Sequence, residues 1–389
     1  MTGGARSAGE LRMKAWPKVA IGDIFEVEKG KIGIKAASPG DFPLVTTGEK
    51  FSSHFEPHFS GDAVCIPLIS ATGHGHASLK RLHHIDGEFA VGSILCACIN
   101  RAPERVIARY AYYYLSACKE SVLVPLMQGT ANMSMKVADI AGVKIPLPPL
   151  PEQQTIVAHL DELLDKTLQV EAHLSAVERD LERLVRAYIF HPPGELMTKR
   201  PMSELVCQRQ PDVMVDGTAT YRFAGVYSFG RGVFPSTVKA GSEFAYERLS
   251  TVRSGDFIYP KLMAWEGALG IVPPQCDGMV VSPEFPVFTV NTNEVLPELL
   301  DIYFRTPEVW PELAELSGGT NVRRRRLQPS AFLTYEMPVP SMATQLKIRE
   351  LYQHSQALKA KFSVIRQANA ALLPATLERV FSTEIPTHA

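Results

Sequence analysis

Apolar residues recur at a heptad spacing in two long stretches of the chain, each introduced by prolines. After Pro151 they fall at alternating steps of four and three when Thr167 is counted, and charged residues fill many positions between them. This spacing is typical of a helix that buries a narrow stripe against a partner helix. Pro192, Pro193 and Gly194 end the predicted helix. The stripe consists of Ile156, Leu160, Leu163, Val170, Leu174, Val177, Leu181, Leu184 and Tyr188.

A second stretch near the C-terminus carries a similar stripe. Pro374 predicts a kink or an interruption before Leu377. The economical partner for each helix is the other one, packed antiparallel as a coiled coil of roughly 55–60 Å at 1.5 Å per residue. The alternative is that each helix packs against its own globular module. The second stripe is Ile348, Leu351, Leu358, Phe362, Ile365 and Leu372, with polar Ser355 and Asn369 inside it.

The two helices are entered through related sequences. Segments 145–156 and 337–348 each close a globular-looking part of the chain and open a helical one. The second entry departs from the first where Glu152 corresponds to Thr344 and Pro149 to Ser341. A chain that repeats module and helix in this way presents two similar surfaces, which suits a partner with two separated sites. The matching pairs are Pro146 and Pro338, Pro148 and Pro340, Gln153 and Gln345, and Ile156 and Ile348.

The modules between the helices are rich in β-branched and aromatic residues broken by Gly, Pro and Asp, which predicts mixed strands with a few helices. The predicted fold class is therefore α+β, with two mixed modules separated by two long antiparallel helices in a pseudo-twofold repeat. The predicted boundaries are an N-terminal tail at 1–15, modules at 16–144 and 195–336, a first helical region at 145–194, and a second with the C-terminal tail at 337–389.

Composition bounds the function without deciding it. The chain has 389 residues, 46% of them hydrophobic and 21% charged, which is ordinary for a globular protein of more than one domain. No apolar run is long enough to cross a bilayer, and residues 1–20 lack a signal core. The six cysteines form no CxxC pair and predict reduced thiols in the cytoplasm. A net charge of −1 argues against tight DNA binding by the chain alone, but not within an assembly.

Both modules end in a glycine-rich turn beside positive charge. The first has 129–132, Gly-Thr-Ala-Asn, followed by Lys136, and the second has 318–321, Gly-Gly-Thr-Asn, followed by four arginines at 323–326. The planar guanidinium group matches phosphate oxygens and the edge of guanine. The alternative is that one or two of these arginines pair with acids on the adjoining helix.

Taken together, these motifs resemble the type I restriction–modification specificity subunit, the S subunit. The resemblance covers nearly the whole chain and is most specific at the Pro-Leu-Pro-Pro-Leu-x-Glu-Gln-x-x-Ile entry of 146–156, with a weaker echo at 338–348. Segments 228–232, 255–262 and 282–288, and the closing Leu-Leu-Pro-Ala at 372–375, also resemble this family.

The resemblance implies that each module is a target recognition domain for one half of a split DNA sequence, and that the helices set the gap between the halves. It implies two methyltransferase subunits docked on the helices, and restriction–translocase subunits that join them. S-adenosylmethionine, ATP and Mg would be bound by those partners, and no cofactor by this chain. The residues implied for subunit docking are Pro148, Glu152, Gln153, Pro340 and Gln345.

Candidate DNA contacts come from basic, hydroxyl and aromatic residues near Gly-bounded loops, where side chains can donate to phosphates or base edges. A role in loop structure is the alternative for His74 and His76, and burial in the core is the favoured alternative for Trp265. In the first module the candidates are Lys29, Lys31, Lys35, Thr72, His74, His76 and Lys80. In the second they are Tyr227, Arg231, Lys261, Trp265, Arg323, Arg324, Arg325 and Arg326.

The chain itself is not expected to be an enzyme. The nearest string to a methyltransferase Asn/Asp/Ser-Pro-Pro-Tyr/Phe element is Ser-Pro-Glu-Phe at 282–285, and no GxxxxGK[ST] loop is present. His54 and His58 have a metal-ligand spacing, but Pro57 lies between them, so no metal site is expected. Two other functions stay open, a cytosolic scaffold that uses its paired helices and no DNA, and the specificity component of a methylation-only system.

Overall fold

The computed structural model describes residues 16–33, 36–72, 75–130, 132–319 and 325–381. The chain divides into two compact units. Unit 1 consists of Met1–Ala172 with Val364–Ala389, and unit 2 consists of His173–Ser363. Each unit therefore combines one globular module with part of both long helices. The boundaries predicted for the individual modules remain predictions.

The first module contains short strands and two helices, and it leads into a long helix. The strands are β1 (Lys18–Ala20), β2 (Phe25–Lys29), β3 (Phe42–Val45), β4 (Ser52–His54), β5 (Phe59–Ser60), β6 (Ala63–Pro67), β7 (His83–Ile85), β8 (Glu88–Val91), β9 (Leu95–Asn100) and β10 (Lys144–Pro146). The helices are α1 (Ala108–Val122), α2 (Val137–Ala141) and α3 (Leu150–Phe190).

Two four-stranded sheets organise this module. One has the order β2-β9-β6-β7 and is antiparallel throughout. The other has the order β4-β3-β8-β5, in which β3 runs parallel to β8. Strand β6 is buried at every position and β9 at nearly every one, because one face packs on α1 and the other meets the second sheet. Continuous apolar runs are typical of strands covered on both faces.

The second module is built in the same way. Its strands are β11 (Thr198–Pro201), β12 (Val206–Arg209), β13 (Val213–Met214), β14 (Thr220–Tyr227), β15 (Gly232–Ala240), β16 (Arg248–Thr251), β17 (Phe257–Ile258), β18 (Gly270–Ile271), β19 (Val280–Val281), β20 (Val287–Val290) and β21 (Glu336–Val339). Its helices are α4 (Met202–Leu205), α5 (Pro297–Phe304), α6 (Trp310–Leu316) and α7 (Pro329–Thr334), and α8 (Met342–Phe381) follows them.

The strand orders of the two modules match. The sheet β12-β20-β17-β18 repeats β2-β9-β6-β7, and in each sheet the strand that comes first in the chain pairs with the one that comes last. The order β13-β16-β19-β14-β15 repeats β5-β8-β3-β4, if β16 takes the place of β5 and β13 is an added edge strand. The pairing directions agree, because β14 is parallel to β19 as β3 is to β8. The predicted repeat therefore extends from the helix entries into the modules.

A two-stranded ribbon closes each module where it joins a helix. Strand β1 pairs antiparallel with β10, and β11 pairs antiparallel with β21. Each module therefore begins and ends at one place, next to the start of α3 or α8.

The two long helices run antiparallel within each unit. In unit 1, Arg366 Nε lies 2.9 Å from Glu171 Oε1, and the Asn369 amide donates to the Thr167 carbonyl at 2.9 Å, so the numbering rises on one helix as it falls on the other. In unit 2, Lys359 Nζ lies 2.8 Å from Glu182 Oε1. The predicted fold class, with its α+β modules and antiparallel helix pair, is confirmed.

The ends of the helices also pack into the module cores. Ile156 and Leu160 of α3 are buried in the core of unit 1, beside Val380 and Phe381 of α8. Pro374 does not interrupt α8, which continues to Phe381, so an interruption is wrong, while a kink at this proline stays a prediction. Pro374 is exposed, and Phe381 at the end of the helix packs against the rings of Tyr110 and Tyr114 in α1.

A buried glutamine fixes each module to its helix. Gln153 is fully buried; its oxygen accepts the Ile107 N–H at 2.9 Å, and its amide donates to the carbonyls of Arg105 at 2.9 Å and Pro148 at 2.8 Å. These three bonds join the loop before α1, the proline segment and the first turn of α3. All three partners are main-chain groups outside the regular hydrogen bonds of the helices, and buried groups of this kind need a partner.

Gln345 makes the same three kinds of bond in unit 2. Its oxygen accepts the Leu296 N–H at 2.8 Å, and its amide donates to the carbonyls of Glu294 and Pro340, each at 3.0 Å. The repeated glutamine in the two helix entries is thus explained by geometry, since an amide side chain alone supplies an acceptor and two donors.

The departure at the second entry is compensated locally. The first turn of α3 contains Glu152, whereas the first turn of α8 has no acid. In unit 2 the Glu195 carboxylate takes this place and accepts bonds from the Thr344 hydroxyl at 2.6 Å and from the Ser341 main-chain N–H. These hydrogen bonds, led by that of Thr344, hold the pKa of Glu195 below its usual value. An anion at a helix N-terminus is favourable in both copies.

We predict that Gln153→Leu strongly weakens the attachment of α3 to the first module. The Ile107 N–H and two carbonyls would stay buried without partners, which costs on the order of 2–4 kcal/mol in the free energy of unfolding. Gln154 is exposed on the next position, so Gln154→Leu is a matched control with an effect near zero. Urea unfolding together with hydrogen exchange at the Ile107 amide measures both. Unchanged protection of that amide in Gln153→Leu would contradict the prediction.

Candidate nucleic-acid interface

The first module presents lysines beside the end of β2. Lys29 and Lys31 are both exposed. Lys31 Nζ lies 4.9 Å from the centroid of the Phe59 ring and 3.8 Å from Glu28 Oε2. Its stem is thereby oriented, while half of the side chain stays in solvent. Lys35 and His74 lie outside the described residues.

The loop that follows β6 is held by its own hydroxyl groups. Ser70 Oγ donates to the His76 carbonyl at 2.7 Å, and the Thr72 hydroxyl donates to the same carbonyl at 3.0 Å. The Thr72 hydroxyl is therefore engaged within the loop. The side chains of His76 and Lys80 are exposed, and the Lys80 carbonyl accepts a bond from Lys119 Nζ at 2.9 Å.

This loop lies against the glycine-rich turn at the end of the module. A Cβ added to Gly75 would come within 2.8 Å of the Thr130 carbonyl, and Gly75 itself has a φ of 77°. Gln128 and Ser134 bridge across the turn, with Gly129 at a φ of 129°. The structure thus brings together two of the loops that the sequence indicated separately.

In the second module, Lys261 and Arg326 meet at the loop after β19. Lys261 Nζ donates to the Pro283 carbonyl at 2.9 Å, and the Lys261 N–H donates to the Glu284 carbonyl at 3.0 Å. Arg326 Nη1 lies 2.8 Å from Glu284 Oε2, so this arginine pairs with an acid in the 282–286 loop. The main chain closes the cluster, because the Leu327 N–H donates to the Lys261 carbonyl at 2.8 Å.

The remaining arginines of the run are described only in part. Arg325 is half-buried, while Arg323 and Arg324 lie outside the described residues. Arg326 bridges back to Gly318, as Ser134 does to Gln128 in the first module. In both modules an antiparallel bridge therefore joins a residue at the start of the glycine-rich segment to one that follows it.

Trp265 is half-buried, and its one hydrogen-bond donor already has a partner. Its Nε1–H donates to the Leu262 carbonyl at 2.9 Å within the same turn. The indole is thus occupied by local structure, which agrees more with the structural alternative than with a hydrogen bond to DNA. Its partly exposed ring leaves an apolar contact open.

Tyr227 and Arg231 lie at the closed end of the β14–β15 hairpin. The Tyr227 ring is 42% exposed and stacks on Phe234, with centroids 3.7 Å apart and planes 11° from parallel. The Arg231 guanidinium carbon lies 4.6 Å from the centre of the Tyr227 ring, and Nε donates to the Ser228 carbonyl at 3.2 Å. Cation–π contact of this kind fixes the plane of an arginine.

Residue Phe229, between these two candidates, was missed by sequence reasoning. It is 63% exposed and has a φ of 62°, a conformation that a bulky side chain rarely adopts. The signal that could have found it is its position between a strand and two glycines in Ser-Phe-Gly-Arg-Gly. Its N–H donates to the Glu266 carbonyl at 2.8 Å, one residue after Trp265. This bond places the loop that follows Tyr227 and carries Arg231 beside the turn that carries Trp265.

The residues implied for subunit docking are mostly inside the protein. Pro148, Pro340, Gln153 and Gln345 are buried, and only Glu152 is partly exposed. The side-chain oxygen and nitrogen of each glutamine already form hydrogen bonds with the main chain, so they are not available to a partner subunit. These residues would therefore affect docking only indirectly, because they fix the position of the helix on which a partner subunit docks.

Exposed apolar side chains on the long helices form a second candidate surface. The heptad pattern alone did not distinguish them from the apolar residues that face the partner helix. In unit 1 the exposed side chains are Leu168, Val170, Val364, Ile365 and Leu372, and in unit 2 they are Val177, Leu184 and Leu346. Several belong to the predicted stripe, so part of that stripe is open to solvent.

Two further searches of the described residues give no additional site. No helix in the described ranges is long and apolar enough to cross a membrane. Across the same ranges, no group of three or more His, Cys, Asp or Glu is arranged to hold a metal ion.

Comparison with known proteins finds relatives for part of the sequence. Residues 13–179 match the family model described as the type I restriction modification DNA specificity domain. A putative type I specificity subunit of Mycoplasma pneumoniae is 24% identical over 192 residues. That match spans about half of this chain and about half of the relative, 49% of each.

Solved structures extend the likeness to the whole chain. One, from work on complex assembly and conformational transition of the type I R-M system, has a TM-score of 0.59 at 15% identity and covers 95% of this chain and 98% of the other. The HsdS subunit of Thermoanaerobacter tengcongensis has a TM-score of 0.51 at 17% identity, with 96% and 98% covered. At this identity the likeness concerns the fold.

The fold is a pair of duplicated α+β modules with two long helices. Residues 13–179, less than half of the chain, match the model of the type I restriction modification DNA specificity domain, and nearly the whole chain shares its fold with the two solved structures.

We predict that Lys261→Met lowers the salt dependence of DNA binding by the assembled complex. Loss of one phosphate contact reduces the slope of log K against log salt by about 0.9. Lys199 is exposed on β11, at the base of the module, and Lys199→Met is the matched control with an unchanged slope. Fluorescence anisotropy with a labelled duplex at several salt concentrations measures the slope. An equal slope for Lys261→Met and the unaltered chain would mean that Lys261 serves only the 283–284 loop.

Proposed function

We propose that this chain is the DNA-recognition subunit of a type I restriction–modification complex, and that each module reads one half of a bipartite target. The observation that carries the proposal is the repeated topology. Two modules of the same strand order each place loops with exposed cationic side chains beside a glycine-rich turn. One duplex with two separated half-sites is the partner that such a duplicated surface fits.

The helices would set the gap between the half-sites. Half-sites read from one face of B-DNA are separated by about one helical turn, near 34 Å, or by a multiple of it. Helices α3 and α8 have 41 and 40 residues, and at 1.5 Å per residue each corresponds to about 60 Å. A continuous helix is stiff over this distance, whereas a flexible linker of equal length would allow many gaps.

The same helices would carry the methyltransferase subunits. Their exposed apolar residues are unusual on a helix face that is otherwise charged, and such residues mark protein interaction surfaces when they are contiguous. Two methyltransferase subunits would match the repeat, and restriction subunits would join through them. Binding through a larger assembly also fits the net charge of −1, since partners can supply part of the positive surface.

Catalysis would lie in the partners, with S-adenosylmethionine, ATP and Mg bound there and no cofactor on this chain. The proposal places the assembly in the cytoplasm, where its DNA substrate lies. A methylation-only system would use the chain in the same way. A scaffold without DNA is the weaker candidate, because residues 13–179 match a DNA specificity domain.

Exchange of residues 198–336 for the corresponding module of a relative is expected to change one half-site and leave the other. The exchanged segment begins and ends within the β11–β21 ribbon, so the helices keep their entry. Methylome sequencing of cells that express the chimera with its methyltransferase gives both half-sites at once. A change in both halves, or in neither, would rule out one module for each half.

Removal of one heptad from each long helix is expected to shorten the gap by about three base pairs. Segments 174–180 and 357–363 lie in unit 2, where Lys359 pairs with Glu182, and a seven-residue step keeps the seam in phase. Seven residues span about 10 Å of helix, against 3.4 Å per base pair. Removal from one helix alone is the control and should abolish methylation. A motif with the original gap would exclude the helices as the spacer.

A further inference from the structure

The hairpin that ends in Phe229 has a counterpart in the first module. Strands β14 and β15 form an antiparallel pair at the edge of their sheet, and β14 runs parallel to the central strand β19. Strands β3 and β4 do the same beside β8. The connecting loops, 228–231 and 46–51, therefore occupy the same place in the two modules.

The 228–231 loop is anchored by its main chain. The N–H groups of Phe229 and Gly230 donate to the carbonyls of Glu266 and Gly267 at 2.8 and 3.0 Å. Gly230 and Gly232 have φ values of 66° and 85°, and a Cβ at either would strike Arg305. The loop has little freedom to move, so the side chains on it are presented in fixed directions.

Two of those side chains are directed by further contacts. Arg231 is held by the Ser228 carbonyl through Nε and by the Tyr227 ring, which leaves both terminal amino groups of the guanidinium free of any bond that fixes them in the described structure. Phe229 projects from the same loop with a strained backbone, and its nearest aromatic neighbour is Trp310 at 6.3 Å between centroids. Backbone strain at an exposed residue persists where the surroundings impose it.

The 46–51 loop offers the same two kinds of side chain. Lys50 is exposed, and Phe51 is 39% exposed with its ring edge on His83, 5.3 Å between centroids. Glu49 pairs with Arg81 at 3.5 Å, which ties the loop to the segment that follows Lys80. Neither Lys50 nor Phe51 was a candidate from the sequence, because the shared position becomes visible only in the strand order.

We propose that these two loops are equivalent base-reading elements, in which Arg231 and Lys50 each recognise a guanine in the half-site of its own module. This inference rests on the proposed function. A two-stranded β-ribbon fits the major groove, where guanine O6 and N7 accept a bidentate pair of bonds from arginine or lysine. Phe229 and Phe51 then contact neighbouring bases, as apolar side chains do with the thymine methyl group.

Arginine held against an aromatic ring is better suited to a base edge than to a phosphate. A phosphate contact tolerates any cation in approximate position, whereas a guanidinium reads guanine only when its plane coincides with the base pair. A lysine ammonium has no plane to align and reaches the same two acceptors only from a backbone position that suits its own length, so lysine at position 231 does not replace arginine. The Tyr227 ring and the Ser228 carbonyl fix that plane before DNA arrives. Arg231→Lys keeps the charge and loses the planar fork, so it separates the two roles.

The test is methylome sequencing of cells that express the chain with its methyltransferase subunit. Arg231→Lys and Arg231→Gln are expected to make one position of one half-site degenerate, with discrimination against the wrong base reduced roughly tenfold to hundredfold. The other half-site is expected to stay unchanged. Lys50→Met should do the same in the opposite half-site.

Controls come from the same elements. Lys239 is exposed at the far end of the same hairpin, opposite Tyr221, and Lys144 is exposed on β10; Lys239→Met and Lys144→Met should preserve the full motif. Thermal melting of each purified complex verifies that the variant is folded, and Arg231→Lys serves if Arg231→Gln melts early.

The outcomes separate cleanly. An unchanged motif in all loop variants, or a uniform loss of methylation with a lower salt slope and no degeneracy, would overturn the guanine-reading role and leave the proposed function intact. A wild-type complex that methylates no bipartite motif would instead remove the proposed function itself, and this inference with it.

Discussion

The arrangement of each module on its helix depends on one buried amide side chain. Gln153 and Gln345 bind three main-chain groups that come from three segments, and no other neutral side chain of that length offers one acceptor and two donors. Because the bonds are inaccessible to water, breaking one leaves polar groups unsatisfied. The module cannot tilt on its helix without that loss. A loop displayed by the module therefore keeps a fixed direction relative to the helix that bears it.

Sequence reasoning succeeded where the determinant was local or periodic. The heptad spacing predicted both long helices, which the structure has as α3 and α8. The interruption expected at Pro374 does not occur, because the packing of Phe381 on the rings of α1 offsets the lost hydrogen bond and the crowding of the proline ring against the preceding turn. The docking role that the resemblance implies for Gln153 stays a prediction. The sequence could not show that this residue is buried, since a repeated polar residue looks the same whether it is exposed or buried.

The candidate interface was predictable by residue type but not by grouping. Lysine and arginine near glycine indicated loops, and most of the indicated segments that the structure describes are loops. Thr72 and Arg326 already bond to other groups of the protein. Such bonds depend on partners elsewhere in the sequence, which a local pattern does not reveal. The equivalence of Lys50 with Arg231 depends on strand order, which no local pattern contains. Phe229 is similar, because its prominence comes from a backbone conformation imposed by carbonyls that follow β17.

The closing ribbons separate what is constant in the molecule from what can vary. The first and last strands of each module pair beside the start of a long helix, so the interior of the module can grow without displacing that helix. The second module already includes an extra edge strand, β13, and a longer hairpin while retaining the central four-stranded order. Under the proposed function, remodelling of peripheral strands and turns changes the target of a module and leaves the helices as they are. Insertion in the loops of one module is then a route to a new target sequence that keeps the inherited geometry.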